Sequence, residues 1–302
     1  MKCVTGRGCS CQGRSGVGSP PSTVWATRYR QTSDIEALAE TVDVPTGTTS
    51  VALKLNLCEY RLGDSGATTS VGFVEDVVTA LRHRCPRLSR VVFVEADSSG
   101  TRAHDLFALL GFADLATRLD CELFDPASGP WRLVDHIGEL PVEVPEAVFA
   151  VDLFVNLPKL KFHGKTAYTG ALKNNFGLLR RRWKLPYHDR LCETIVASNL
   201  HLPRQLAITD GSITLSGRGP SYGRPTATQV ALGSWDPVAI DAAGARLLGL
   251  PAWAAGHIGM ARAAGLGSDH PQLTWISPET GLAERPRFDW LRFAAVSALR
   301  RA

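Results

Sequence analysis

The chain has no apolar run approaching the roughly 20 residues that cross a bilayer, and its first residues carry no apolar core of the kind a secretory signal needs. A cytoplasmic protein without a membrane partner is the expectation. Cysteine is sparse: Cys3, Cys9 and Cys11 lie near the N-terminus, and Cys58, Cys85, Cys121 and Cys192 stand singly. No C-x2-C-x2-C run of a ferredoxin is present. The spacing of the first three is compatible with zinc, but chance is the preferred reading, and scattered cysteines in a cytosolic protein are usually reduced and structural. Also missing are the G-K-[ST] of a phosphate-binding loop, the G-x-S-x-G elbow and the H-E-x-x-H helix. Acid is absent from residues 1–32, which hold Lys2, Arg7, Arg14, Arg28 and Arg30. Those five exceed the net charge of +4, so the rest of the chain carries one more acid than base. A body near neutrality lacks the basic face of a nucleic-acid binder.

What is present suffices for a large core: 302 residues, 44% of them hydrophobic. Residues 1–23, rich in Gly, Ser and Pro, read as a disordered basic tail. Residues 24–302 read as a single α/β domain, or as two lobes meeting near residue 150. Apolar runs at Val51–Leu57, Arg90–Ala96 and Cys121–Phe124 read as strands, with helices over Val71–His83 and Ala103–Leu119 between them. That order predicts a mostly parallel open sheet with helices on both faces and a ligand cleft at the strand C-terminal ends. Farther along, Ser33 reads as the cap of a helix over Asp34–Thr41. Helices are expected over Asp189–His201, from Pro237 behind an Asp236 cap, over Gly256–Ala264 and over Leu291–Arg300. Strands are expected over Gln205–Thr209 and Thr228–Leu232. No internal repeat is visible.

The stretch from Val151 to Gly177 organises the chain. Val148–Leu157 is apolar apart from Asp152 and Asn156 and reads as a buried strand closed by Pro158. Lys159, Lys161, His163 and Lys165 then form a basic loop, and Thr169-Gly170 reads as the start of a helix carrying Lys173, Asn174 and Asn175. A helix N-terminus there offers N–H donors to an anion. Arg180, Arg181, Arg182 and Lys184 make a basic knot suited to a carboxylate, a phosphate or a phosphopantetheine arm, though a solvated surface is an equal reading.

Two resemblances follow from these motifs. L-P-K-L-K-F-H with T-G-A-L-K-N-N-F-G resembles the "domain of unknown function 362" family. Further matches are Lys184 and His188, I-T-D-G at 208–211, G-R-G-P-S-Y-G at 217–223 and D-P-V-A-I-D at 236–241, so the resemblance spans about residues 45–270. Phe162 replaces the usual Thr, and Ser216 replaces an acidic residue. The family implies a fold and little chemistry, and some relatives carry an extra ferredoxin domain. The stretch from His163 to Lys173 is also similar to that of the nickel-pincer lactate racemases. That similarity implies a histidine exchanging the α-proton and a lysine anchoring the cofactor. It does not establish such a cofactor here, and it suggests proton movement beside a carbonyl.

The expected catalytic residues are therefore His163, Lys173 and Lys161. Asn56, Glu95, Thr169, Gly170, Asn174, Arg181, Arg182, Lys184, His188 and Asp210 are expected to bind substrate, with Asp210 also readable as a turn residue. No metal ligand and no organic cofactor is expected. The 217–223 loop reads as a flap over the cleft. The functional expectation is a lyase, isomerase or cyclase acting beside the carbonyl of a small, coenzyme A-bound or carrier-bound anionic metabolite, in specialised biosynthesis. A metal or iron–sulfur redox protein using His163, His188 and the cysteines is one alternative, and a non-catalytic binder of an anion is the other.

Overall fold

Each central strand sends its apolar side chains alternately to two faces, and each face is covered by helices. A computed structural model describes residues 22–294 apart from Ser99, Arg218 and Arg292. Residues 1–21 of the expected tail, with Cys3, Cys9 and Cys11, and most of the expected closing helix lie outside the described residues, whereas Thr23 of that tail begins the first strand. In chain order the elements are β1 (Thr23–Arg28), α1 (Thr32–Thr41), β2 (Ser50–Lys54), α2 (Val71–Arg84), β3 (Arg90–Val94), α3 (Ala103–Leu109), α4 (Phe112–Arg118) and β4 (Glu122–Leu123). A hairpin of β5 (Trp131–Ile137) and β6 (Leu140–Pro145) follows, then β7 (Leu153–Asn156), β8 (Lys159–His163), β9 (Ala167–Thr169) and α5 (Ala171–Asn175). The remainder is α6 (Leu191–Leu200), β10 (Gln205–Ser216), β11 (Arg224–Thr226), β12 (Val230–Ser234), α7 (Pro237–Leu247), α8 (Gly256–Ala263) and β13 (Gln272–Trp275).

The main sheet runs β13-β1-β12-β10-β7-β2-β3-β4. From β10 to β4 all neighbours are parallel, and β12 joins antiparallel to both β10 and β1. This is the mostly parallel α/β sheet expected from the sequence. Val51, Leu53, Val91, Phe93, Leu153, Val155, Leu206 and Ile208 face one way, onto side chains of α1 to α4. Ala207, Val230 and Leu232 face the other way, onto side chains of α5 to α8. Ala52, Val92, Val94 and Phe154 share that second side with Val144 and Val148. Such two-sided burial is what near-continuous apolar strands require. β7 hydrogen-bonds to β2 and to β10, so the ladder continues across the region near residue 150.

Several local expectations need correction. Ser33 lies within α1, where the Asp34 carboxylate accepts the Gln31 amide at 3.1 Å. The strand expected from Val148 begins at Leu153, after a turn of 3-10 helix at Glu146–Val148. The basic loop after Pro158 is a strand: β8 pairs parallel with β10 and antiparallel with β9. Its Leu160 and Phe162 enter the core cluster with Tyr168, while Lys159, Lys161 and His163 occupy the alternate positions. K-L-K-F-H is a period-two pattern, and four basic groups so close together obscure it. β10 also runs on past Thr209 to Ser216 and pairs there with β11.

Candidate functional site

A cavity of about 370 Å³ opens at the C-terminal ends of β2 and β3. Lys54 and Asn56 reach it from β2 and the turn beyond, and Glu95 from the turn after β3. Lys173 and Asn174 enter from α5, Phe176 from the turn after it, and Lys184 and His188 from the segment that follows. Parallel strands end along one edge, so segments distant in sequence meet there.

Glu95 anchors the floor. Its carboxylate pairs with Lys54 at 2.8 Å and accepts the amides of Leu57 at 2.9 Å and Ala96 at 3.1 Å. The Lys54 ammonium is held down from its ordinary pKa by burial, against the attraction of Glu95. Two further lysines face the same space. Burial, then the neighbouring charge of Lys161, brings Lys173 down to about 8. Burial brings Lys184, only 5% exposed, down to about 7. Lys184 donates to the Gly177 carbonyl at 2.9 Å, and Glu59 is the second carboxylate of the lining. His188 Nδ1 lies 3.0 Å from the Lys184 carbonyl, so Nδ1 carries a proton and donates there.

His163 has the opposite tautomer. Its Nδ1 accepts the amides of Lys165 at 3.0 Å and Thr166 at 3.2 Å, which places the proton on Nε2. Burial, then Lys173 and Lys161, hold its pKa well below the ordinary value, so the ring is neutral. His163 does not line the cavity, and it offers an N–H where a base needs a lone pair. Beside it His257, missed in the sequence, is fully buried with neither ring nitrogen hydrogen-bonded, and burial lowers it to about 3. Lys161 Nζ donates to the Ala67 carbonyl and lies 3.2 Å from Cys58 Sγ. Thr169 sits opposite Lys161 in the β8–β9 ladder, its buried hydroxyl without a hydrogen bond.

The N-terminus of α5 is already occupied. Asp241, from α7, accepts the Ala171 amide at 2.6 Å and the Leu172 amide at 3.0 Å. A side chain on Gly170 would collide with that carboxylate and with the Tyr168 ring. The expectation that a substrate anion rests on this helix end, with Thr169 as its cap, is therefore corrected: Gly170 closes the turn and Asp241 takes the donors. Burial pushes the Asp241 carboxyl up to about 8, while the two amides pull the other way.

Asp210 is likewise internal. It pairs with Lys159 at 2.7 Å, both side chains being fully buried, and it accepts from Ser70 N at 3.0 Å and Ser212 Oγ at 2.6 Å. Arg181 and Arg182 are exposed and outside the lining, so the basic knot divides and only Lys184 turns inward. Nor do the described residues of the 217–223 loop cover the cavity. Gly219 accepts the Gly164 amide at 2.9 Å, and Tyr222 stacks on Arg61 at 4.5 Å.

Beneath the cavity lies a chain of buried amides, of which only Asn56 and Asn174 were expected to bind. Asn156 Nδ2 donates to the Ala171 carbonyl at 2.9 Å and to Gln205 Oε1 at 2.9 Å, and its Oδ1 accepts from Asn174 Nδ2 at 2.7 Å. Asn174 Oδ1 accepts in turn from Asn56 Nδ2 at 2.7 Å. Asn175 bridges Asn199 and Gln205 at 2.7 and 3.0 Å. The signal for this chain was a single Asn in an apolar strand and two consecutive Asn on a short helix.

The family model described as "Domain of unknown function (DUF362)" matches residues 51–246, well over half of the chain. The chain belongs to this family. A protein of Synechocystis sp. described as thylakoid-associated is 28% identical over 138 residues, which is 43% of this chain and 43% of that protein. The chain thus matches less than half the length of that relative. Among solved structures, the lactate racemase apoprotein of Thermoanaerobacterium thermosaccharolyticum aligns with a TM-score of 0.43 at 11% identity. It covers 75% of this chain and 57% of its own. A Thermotoga maritima protein aligns with a TM-score of 0.39 at 11% identity, covering 78% and 60%. Among the described residues no helix is long and apolar enough to cross a membrane, and no three His, Cys, Asp or Glu side chains cluster as metal ligands. Lys173 lines the cavity, as a cofactor-anchoring lysine must. His163, engaged through Nδ1, does not match a proton-exchanging base beside such a group.

Proposed function

We propose that this is a cytoplasmic enzyme that moves a proton next to the carbonyl of an anionic metabolite, small, coenzyme A-bound or carrier-bound, as a lyase, isomerase or cyclase of specialised biosynthesis. The observation that carries the reading is the convergence of Lys173, Lys184 and His188 on one cavity whose floor is the closed Lys54–Glu95 pair. Values of about 8 and about 7 give the two lysines one amine and one ammonium between them near neutral pH. The amine takes the α-proton, and the ammonium holds the charge that develops on the carbonyl oxygen. His163, neutral with its proton on Nε2 and outside the cavity lining, is not the base. Lys161 stands behind Lys173 and contributes to lowering its pKa.

The test is deuterium exchange at the α-carbon of a panel of carboxylates and acyl thioesters, followed by NMR. Lys173→Met is expected to lower exchange by about 10²–10⁴, the usual contribution of a positioned acid or base. Lys184, the lower of the two and so the amine, is the base, and Lys184→Arg is expected to fail as well, because arginine does not release its proton. Unchanged exchange in a folded Lys173→Met variant sinks the reading. A binder of anions is the second reading, favoured by the same lysines, and saturable binding without exchange on any member of the panel selects it.

A further inference from the structure

Cys58 has no part in the proton transfer above, yet it lines the same cavity. Its Sγ receives a hydrogen bond from Lys161 Nζ at 3.2 Å. Lys161 is 1% exposed. Lys54 and Lys159 pair with Glu95 and Asp210, but among the described residues no carboxylate pairs with Lys161. The Lys161 donor is therefore set against the sulfur itself. The thiolate is the nucleophilic form of cysteine.

A second observation points to a ligand at this place. Asn56, 7% exposed and in the cavity lining, has an Oδ1 with no hydrogen-bond partner. Its orientation is fixed from below. The Ala171 carbonyl requires a donor and so sets Asn156, Asn156 sets Asn174, and the Asn174 Oδ1 requires Asn56 to turn its Nδ2 inward. The remaining oxygen is left for a donor that the protein does not supply.

We propose that Cys58 is a covalent nucleophile, adding to a carbon–carbon double bond conjugated to a carbonyl, on a ligand that presents an N–H or O–H to Asn56. The sulfur–carbon bond forms at the β-carbon, and the π pair moves to the α-carbon and carbonyl oxygen. Lys173, as its ammonium, returns a proton to the α-carbon. No group leaves and no oxidant is needed, and the reverse elimination frees the thiolate. Only this reprotonation rests on the function proposed above.

N-ethylmaleimide, itself a conjugated carbonyl, is the probe, with site-resolved mass mapping of the full chain at pH 7. Cys58 is expected to react at least tenfold faster than Cys85, Cys121 and Cys192. Burial pushes the Cys85 thiol up and takes Cys121 up to about 11, which makes both suitable slow references. Lys161→Met is expected to slow Cys58 at least tenfold at an unchanged melting temperature. Reaction of wild-type Cys58 no faster than Cys192 overturns the proposal, even where the variant fails to fold. So does a folded Lys161→Met chain that labels at the wild-type rate. Fast, Lys161-dependent labelling without α-proton exchange on any substrate retains the nucleophile and removes the proton-transfer reading.

Discussion

His163 and Lys184 show how burial and hydrogen bonding redirect side chains whose types alone suggest other roles. His163 is the residue that sequence motifs mark as a base, and two backbone amides have taken the lone pair a base needs. His163→Asn keeps an acceptor near the Nδ1 position and loses Nε2–H. Because His163 does not line the cavity, the variant is expected to melt near wild type and to keep its exchange rate within a few-fold. His163→Leu leaves both amides unpaired, and a urea titration is expected to show a loss of about 1–3 kcal/mol or more. Equal stability of the two variants contradicts this assignment of the ring. Lys184 offers a pH test. Its folded value of about 7 lies below the ordinary 10.5, so between those limits the unfolded chain binds a proton that the folded chain lacks. Stability from this group therefore rises with pH across the window and is lost as pH falls through about 7. Lys184→Met has no such dependence. The wild type is expected to gain on the variant in melting temperature as pH goes from 7 to 10, and a pH-independent gap refutes the shift.

The short helix α5 is held from both ends of the chain's second half. Asp241 caps it from α7, and Asn156, Asn199 and Gln205 secure its carbonyls and side chains from β7, α6 and β10. Five residues of helix are marginal alone, so the position of Lys173 depends on these contacts. Asn156→Leu, of similar volume, leaves Asn174 Nδ2 and the Ala171 carbonyl without their partner. At about 1–3 kcal/mol for each orphaned group, a loss of about 2–6 kcal/mol is expected by chemical denaturation. A loss below about 1 kcal/mol shows that the amide chain does not hold the helix. β8 teaches a related point. Its basic residues look like a loop, but Leu160 and Phe162 bury against the C-terminal helices, and the intervening lysines go to Asp210, Ala67 and Cys58.

Across the assembled sheet, β1 lies between β12 and β13 and ties the start of the described chain to its end. Ser22 adds a 2.6 Å hydrogen bond to Asp236, the residue that caps α7. Composition led to the expectation that residues 1–23 form a disordered tail, and ordered contacts at Ser22 and Thr23 move that limit earlier. Deleting residues 1–20 is expected to leave the melting temperature within a degree or two. Deletion through Arg28 removes a strand with two neighbours and is expected to abolish cooperative unfolding. A melting series of the truncations checks both, and a stable, cooperative chain without β1 overturns the second.

The parallel sheet, the positions of β2, β3 and α2 and the placement of the cleft at strand ends were legible from residue order, because period and capping are local properties of a few consecutive side chains. The Asp236 cap with Pro237 behind it was legible for the same reason. The partners of the charges were not. Asp241 reaches the N-terminus of α5 across about 70 residues of chain, and Asp210 reaches Lys159 across about 50. Both pairings depend on which strands and helices the crossovers bring together, and no local pattern encodes that. Cys58 illustrates the limit. Alone in the sequence it reads as an inert thiol, and its chemistry arises only where β8 brings Lys161 beside the turn after β2.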